Sequence, residues 1–304
     1  MVLNYYLNIL NYQKMPLFLM KYLKSPSLLR LKKIGYFCGM DYASKSVYDF
    51  GEYVSRYDHS LSVALIVYKY TKSKKATIAG LFHDVATPCF SHVIDYMNED
   101  YANQESTEEY TEYVLKNDKY LKKCLKKDKI DINDIVDFKK YSIVDNKRPK
   151  LCADRIDGVI LTGLYWTKNI NKDDLKVIVN DLAVYNNEDK EQELGFKTLK
   201  IAKKVIEVSE SIDIICHSNE DNYMMQLLAD MTKYAIKNGY IKYEDLYILD
   251  EEYLFNIFNK IDSKEFVEDY SKFKSIDISV IPVINLPYIK KRDLNPLVMG
   301  RRIK

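Results

Sequence analysis

The chain has 304 residues, enough for one large domain or a core with an appended lobe, and so for a sizeable buried core. Lys and Arg total 46 against 44 Asp and Glu, a formal charge of +2, which argues against a global field that recruits nucleic acid or an anionic membrane, so an anionic ligand has to be held locally. The five cysteines are scattered with no CxxC pair, which argues against a disulfide framework or a structural zinc knuckle and fits a reducing, cytoplasmic setting.

Gly and Pro are few, 9 and 7, and apolar residues recur at spacings of three and four, so the chain reads as mainly helical. The opening stretch MVLNYYLNILNYQKMPLFLM is apolar, yet it lacks a basic leader and is interrupted by Asn4, Asn8, Asn11 and Pro16. It reads as an amphipathic extension or peripheral helix rather than a targeting segment. No window approaches the roughly 20 unbroken apolar residues of a membrane span. Residues 26–40 suit one short helix leading into a loop, and 41–58 read as loop and turn.

From about Tyr57 a helix places His59, Val63 and Ile66 on one apolar face. A second helix, ATIAGLFHDVA, must stop near Ala86, because Thr87 precedes Pro88 and a residue before proline avoids the α region. His83 and Asp84 then fall in its last turn, where a carboxylate meets the negative end of the helix dipole. A bound cation would resolve that conflict. Thr87 and Pro88 fit the N-cap and N1 positions of a third helix carrying His92 on its second turn.

The charged stretch that follows reads as a solvated helix face, with Gln104 and Glu105 near enough to the third helix to reach the same cleft. In LCADRIDGVILTGLYW, Asp154, Asp157 and Leu161 share one face of an otherwise apolar helix. A buried carboxylate there needs an arginine, with Arg56 and Arg155 as candidates, or several donors, or a metal. Helical periodicity runs from Asp173 to about Ser218 and again over 222–238, with His217 structural or at the surface. Ile276, Ile278 and Val280 alternate with Asp277 and Ser279 before Pro282, which predicts a short edge strand. The tail gathers Lys290, Lys291, Arg292, Arg301, Arg302 and Lys304 into a local basic patch. Its simplest reading is a solvated tail, with contact to phosphate or to a partner subunit as the other.

His59, His83, Asp84 and Asp154 together make a His, His-Asp, Asp set carried on apolar helices. Nitrogen and oxygen donors without sulfur suit one divalent ion of the Mn, Fe, Mg or Zn kind. Such an ion acidifies water and polarises phosphoryl oxygens, so metal-assisted hydrolysis of a phosphate ester or anhydride is the chemistry the set predicts.

The order His59, His83-Asp84, Asp154 resembles the signature of the HD-domain metal-dependent phosphohydrolases. RLKKIGY and RYDHSLSVA, AGLFHDVATPCFSH, and IVDNKRPKLCADRIDGV are further similar, in order, to blocks of the deoxynucleoside triphosphate triphosphohydrolase branch, with a weaker echo in IKKRDLNPLV. The resemblance implies an all-α fold: an HD metal-binding core at 53–168, an N-terminal helical extension at 1–52, and a mostly helical C-terminal lobe at 169–304 holding the short strand segment. It implies His59, His83, Asp84 and Asp154 as ligands of one divalent metal, Arg56 as a phosphate-binding residue and His92 as a cleft residue. With Glu105, His92 is the candidate for proton transfer.

Thr87 and Gln104 stand where that branch carries its acid and base histidines, and Gly158 and Thr162 where it carries a nucleotide-contacting Tyr and Asp. Imidazole shuttles protons near neutral pH; threonine and glutamine do not. Two readings therefore stay open. One is a phosphohydrolase of a nucleotide or another phosphorylated small molecule, the dNTP reaction being its narrow form. The other is a non-catalytic regulatory HD protein that binds metal or nucleotide. Neither a membrane nor nucleic acid is an expected partner. Related enzymes often assemble, so a homo-oligomer is compatible with the resemblance.

Overall fold

The structure, a computed structural model, describes residues 2–104, 106–286 and 288–303. Its centre is the helix Arg56–Thr71, in which every residue from His59 to Val67 is buried. A helix buried on all sides has to be surrounded, and this one packs against Lys74–Phe82 and Ala153–Tyr165. Its start is fixed by a capping box: Ser55 Oγ accepts from Asp58 N–H while the Asp58 carboxylate accepts from Ser55 N–H. That cap sets Arg56 at the first helical position and His59 one turn later on the same side. Ser73 caps the next helix by accepting from Ala76 N–H at 3.2 Å, and residues Ala76 to Phe82 are all buried.

Around this centre, Leu199–Cys216 packs on Ala153–Tyr165, and Asn219–Lys237 packs on Val93–Met97 and on Lys264–Ser275. The N-terminal helix Val2–Ile9 packs on Lys172–Asp181, and Tyr6, Leu19 and Tyr22 are fully buried. The N-terminal helix is amphipathic, with Asn4, Tyr5 and Asn8 exposed, and its apolar face is built into the core rather than lying at the periphery. One continuous apolar core runs from Tyr6 to Leu294. No helix among the described residues is long and apolar enough to cross a membrane.

Three local expectations fail for identifiable reasons. The helix expected from Thr87 does not form: Phe90 and Ser91 have φ of 64° and 47°, and His92 sits immediately before the short helix Val93–Met97. Phe90 N–H is diverted to Glu251 Oε1 at 3.1 Å and its ring packs on Phe255 and Phe258, so tertiary contacts override the helix start. The edge strand expected at 276–280 is instead a 3₁₀ turn, Ile278–Val280, because Asp277 accepts from Ser279 N–H at 2.9 Å and curls the chain.

Third, the periodicity read as helix from Asp173 to Ser218 conceals a hairpin. The helix stops at Asp181, β1 (Leu182–Asn186) pairs antiparallel with β2 (Gln192–Phe196), and Asn187 closes the turn by accepting from Asp189 and Glu191 N–H. β3 (Leu297–Val298) runs parallel to β2, and β4 (Arg301–Arg302) completes a four-stranded sheet in the order β1-β2-β3-β4. Gly195 permits the β2–β3 contact, since a Cβ there would stand 2.6 Å from the Leu297 carbonyl oxygen. The fold is therefore mostly helical with a small sheet, and not strictly all-α.

Candidate metal centre

His59, His83 and Asp154 come from three helices or helix ends, yet their donor atoms lie within 4.8 Å of one another. His59 Nε2 is 3.0 Å from Asp154 Oδ1, and His83 Nε2 is 3.5 Å from the same oxygen. Asp84 stands beside them, 3.6 Å from His83 Nε2 and 3.8 Å from His59 Nε2. His83 donates its Nδ1–H to the Gly80 carbonyl at 2.8 Å, which aims Nε2 into the cluster. There it is buried with no hydrogen-bond partner among the described residues. A buried imidazole nitrogen left unpaired beside two carboxylates is a costly arrangement in a protein of ordinary design, and a divalent cation satisfies it. The donor set thus fits the metal that the sequence implies.

The charges agree with the geometry. Burial opposes charge on His59, but the hydrogen bonds to Asp154 and Asp157 outweigh it and raise its pKa to about 10. Burial also opposes charge on Asp84, yet His83, Arg56 and His59 hold its carboxyl at about 2. Asp154 is likewise kept well below the usual carboxylate range by the two histidines, against its burial. Asp145 and Cys152 also approach Asp154 closely. That second group is a poorer site, because burial pushes the Cys152 thiol up to about 12 and its S–H donates to Asp145, which in turn faces Arg155.

Behind His59 stands a support that the sequence reading left without a role. Asp157, fully buried one turn after Asp154, accepts from His59 Nδ1–H at 2.7 Å. Its other contacts are Ser62 Oγ at 3.0 Å and the Tyr6 hydroxyl at 2.5 Å. A carboxylate on the far nitrogen of a metal-binding histidine fixes the ring and makes it a better donor. The signal was present in the spacing Asp154–Asp157; the partner from the N-terminal helix was not.

Arg56 meets Asp84 rather than Asp154. Its Nη1 is 2.9 Å from Asp84 Oδ2, its Nε donates to Ser91 Oγ, and its guanidinium lies 4.9 Å from the centre of the Tyr36 ring. Arg155, the other candidate partner of Asp154, is turned away to Asn146. Tyr36 also packs 5.0 Å from the His59 ring, and its hydroxyl explains Gly158, where a Cβ would stand 2.8 Å away. The space released at Gly158 is filled by a tyrosine from another part of the chain.

His92 lines the same cleft, which encloses about 1330 Å³. Asp95, fully buried, accepts from His92 Nδ1–H at 2.8 Å. Burial lowers the His92 pKa; Asp95 opposes this, while Arg56 and Arg292 add to it. Thr87 is buried on the cleft wall, and Gln104 accepts from Arg292 Nη2 at 3.2 Å. Glu105 lies outside the described residues. His217 is structural, bonded to the Asp213 carbonyl.

The basic tail is only partly a solvated patch: Lys291 and Arg301 are exposed and Lys304 lies outside the described residues, but the other three are engaged. Arg302 is locked to Glu193 and Glu188, Lys290 Nζ donates to the Asn103 carbonyl, and Arg292 enters the cleft.

Comparison with known proteins supports the part of the chain that carries this cluster. The protein described as uncharacterized protein YdhJ of Bacillus subtilis (strain 168) is 28% identical over 204 residues, covering 66% of this chain. The match spans about 60% of that relative's own length. The HD domain family profile matches residues 56–159, a segment that opens on Arg56 and includes His59, His83, Asp84, Asp154 and Asp157. Residues 56–159 are an HD domain, of a family whose members are generally metal-dependent phosphohydrolases.

Proposed function

We propose that this chain is a metal-dependent phosphohydrolase that cleaves a phosphate ester or anhydride of a small molecule, with nucleotides the leading class. The observation that carries this reading is the unpartnered His83 Nε2, aimed at His59, Asp84 and Asp154 within a cleft that also holds Arg56. When bound there, a divalent cation supplies an acidified water nucleophile and neutralises charge at the phosphoryl oxygens.

The chain's own residues supply positioning and proton transfer. Arg56 is anchored through Nη1 and Nε, and stacked on Tyr36, so its Nη2 is the donor available to a phosphoryl oxygen. The His92–Asp95 bond fixes the His92 tautomer with Nε2 as acceptor. With its pKa lowered by burial, His92 is mainly neutral near pH 7 and able to take a proton, and Asp95 stabilises the charge that forms. Thr87 cannot do this work, which leaves His92 as the cleft-lining imidazole outside the metal cluster.

The test is elemental analysis of purified protein, followed by phosphate, pyrophosphate and triphosphate release across nucleotides and simple phosphoesters, wild type against Asp84→Ala. Stoichiometric divalent metal and release that depends on Asp84 are expected. Triphosphate from a dNTP selects the narrow reaction, and phosphate from monoesters the broad one. Metal binding with no turnover on any substrate would replace the hydrolase by a ligand-binding HD protein.

A further inference from the structure

The segment from Lys290 to Leu297 has no regular structure until β3, yet its backbone is fixed at successive points. Lys290 N–H donates to the Tyr101 carbonyl, Arg292 N–H to Asp213 Oδ1 at 2.6 Å, and Asn295 N–H to the Pro149 carbonyl. Ser209 Oγ donates to the Arg292 carbonyl. These bonds tie the strap to the loop after Val93–Met97, to the helix Leu199–Cys216 and to the segment before Ala153. They present the Arg292 side chain to the cleft.

Arg292 has no carboxylate within 4.0 Å among the described residues. Its side chain donates to the neutral Gln104, the Cys216 thiol lies beside it, and its Nε is buried with no hydrogen-bond partner among the described residues. Gln104 holds this position with a left-handed backbone, φ 52°, which a non-glycine residue adopts at a cost. Arg148 converges on the same wall, its Nη1 donating to the Asp293 carbonyl at 3.1 Å, and it too lacks a carboxylate partner among the described residues. Burial, with Arg155 and Arg292 adding to it, lowers the Arg148 pKa to about 10.

Three lysines that line the cleft have carboxylate partners: Lys139 pairs with Glu108, Lys140 with Asp134, and Lys150 with Asp189. Two partly desolvated guanidinium groups lining one cleft without a carboxylate partner are expensive, and an anion held by both reduces that cost. Arg56, by contrast, already has Asp84.

We propose that Arg292 and Arg148 form a second anion subsite in the cleft, separate from Arg56, which receives a phosphate group of the substrate other than the one hydrolysed. The substrate class is then a small molecule bearing at least two phosphate groups, such as a nucleoside di- or triphosphate, rather than a simple monoester. The anion site stands on its own geometry; only its consequence for substrate choice rests on the phosphohydrolase reading.

The test titrates inorganic pyrophosphate calorimetrically into the full chain as purified, for wild type, Arg292→Gln, Arg292→Lys and Arg148→Gln. The exposed-lysine variant Lys176→Gln, away from the cleft, serves as control, and circular dichroism confirms the fold of each. Arg292→Gln is expected to weaken pyrophosphate binding at least tenfold, with partial recovery in Arg292→Lys, a smaller loss in Arg148→Gln and none in Lys176→Gln. A weakening of less than threefold in folded Arg292→Gln overturns the subsite.

In the hydrolysis panel, Arg292→Gln should raise KM for nucleoside triphosphates about tenfold and leave KM for a phosphomonoester unchanged. Equal effects on both would overturn the substrate assignment. If wild type turns over nothing, the hydrolase reading fails while the pyrophosphate titration still decides the subsite.

Discussion

One wall of the cleft is made of helices and the other of a strap. On the helical wall, Arg56–Thr71, Lys74–Phe82 and Ala153–Tyr165 each deliver a histidine or carboxylate to one point, and each group is held by a neighbour in the same packed core. On the strap wall, Arg292 and Arg148 sit on irregular backbone whose position depends on single hydrogen bonds to Tyr101, Asp213 and Pro149. Rigid elements hold the His–Asp cluster to a fraction of an ångström, while a strap can only supply charge at a looser distance. The difference suits a division between chemistry on one side and substrate recognition on the other.

The largest effect should come from the helical wall. Asp154→Ala removes an oxygen shared by both histidines and should abolish stoichiometric metal, with turnover falling by roughly a thousandfold or more. Elemental analysis and initial rates measure this, and a variant that kept its metal would move the centre elsewhere. Next comes the support behind His59. Asp157→Asn should weaken metal binding about 10–100-fold, as removal of a carboxylate behind a ligand histidine does. Tyr6→Phe removes only the hydroxyl bond to Asp157, so it should cost about 1 kcal/mol in stability and a smaller factor in metal affinity. If Tyr6→Phe left metal affinity untouched, the N-terminal helix would be a bystander to the site.

The same contrast explains what could be read from the sequence. His59 and Asp154 were legible because each is a polar residue in an otherwise apolar helical run, and His83 because it falls at the end of such a run before Pro88. Arg292 was not. It sits in a KKRD run that reads as a solvated tail, and only the tertiary course of the strap turns it inward. The pairing of Tyr36 with Gly158 was hidden for a related reason, since a missing side chain does not say which distant residue fills its place.

The hairpin at β1 and β2 was missed because Leu182 and Val184 continue the apolar pattern of the preceding helix, while the turn depends on Asn187 bonding its own backbone. At 276–280 the opposite error arose: alternation implied a strand, and one Asp277 side chain was enough to bend it.

The smallest effect should appear where the helical wall rests on the N-terminal segment, far from the strap. Asp128 binds Lys21, accepts from the Tyr22 hydroxyl at 2.8 Å, and pairs at 2.7 Å with Lys74 at the start of the helix that leads into His83. Burial would raise its pKa, but Lys21, Lys74 and Tyr22 lower it to about 2. The folded state therefore binds that proton less readily than the unfolded chain, whose aspartate titrates near 3.8. The stabilisation is fully present above that value and is lost as pH falls toward 2.

Asp128→Asn should thus cost about 1 kcal/mol at neutral pH, a modest figure because both lysines are roughly a third exposed and screened by solvent. The difference from wild type should shrink below pH 4 and vanish near pH 2, measured by urea unfolding across pH. Pyrophosphate binding by this variant should match wild type, because Asp128 touches neither Arg292 nor Arg148. A loss of anion binding here would mean that the strap wall is held in place by the far side of the core, and the two walls would then have to be treated as one mechanical unit.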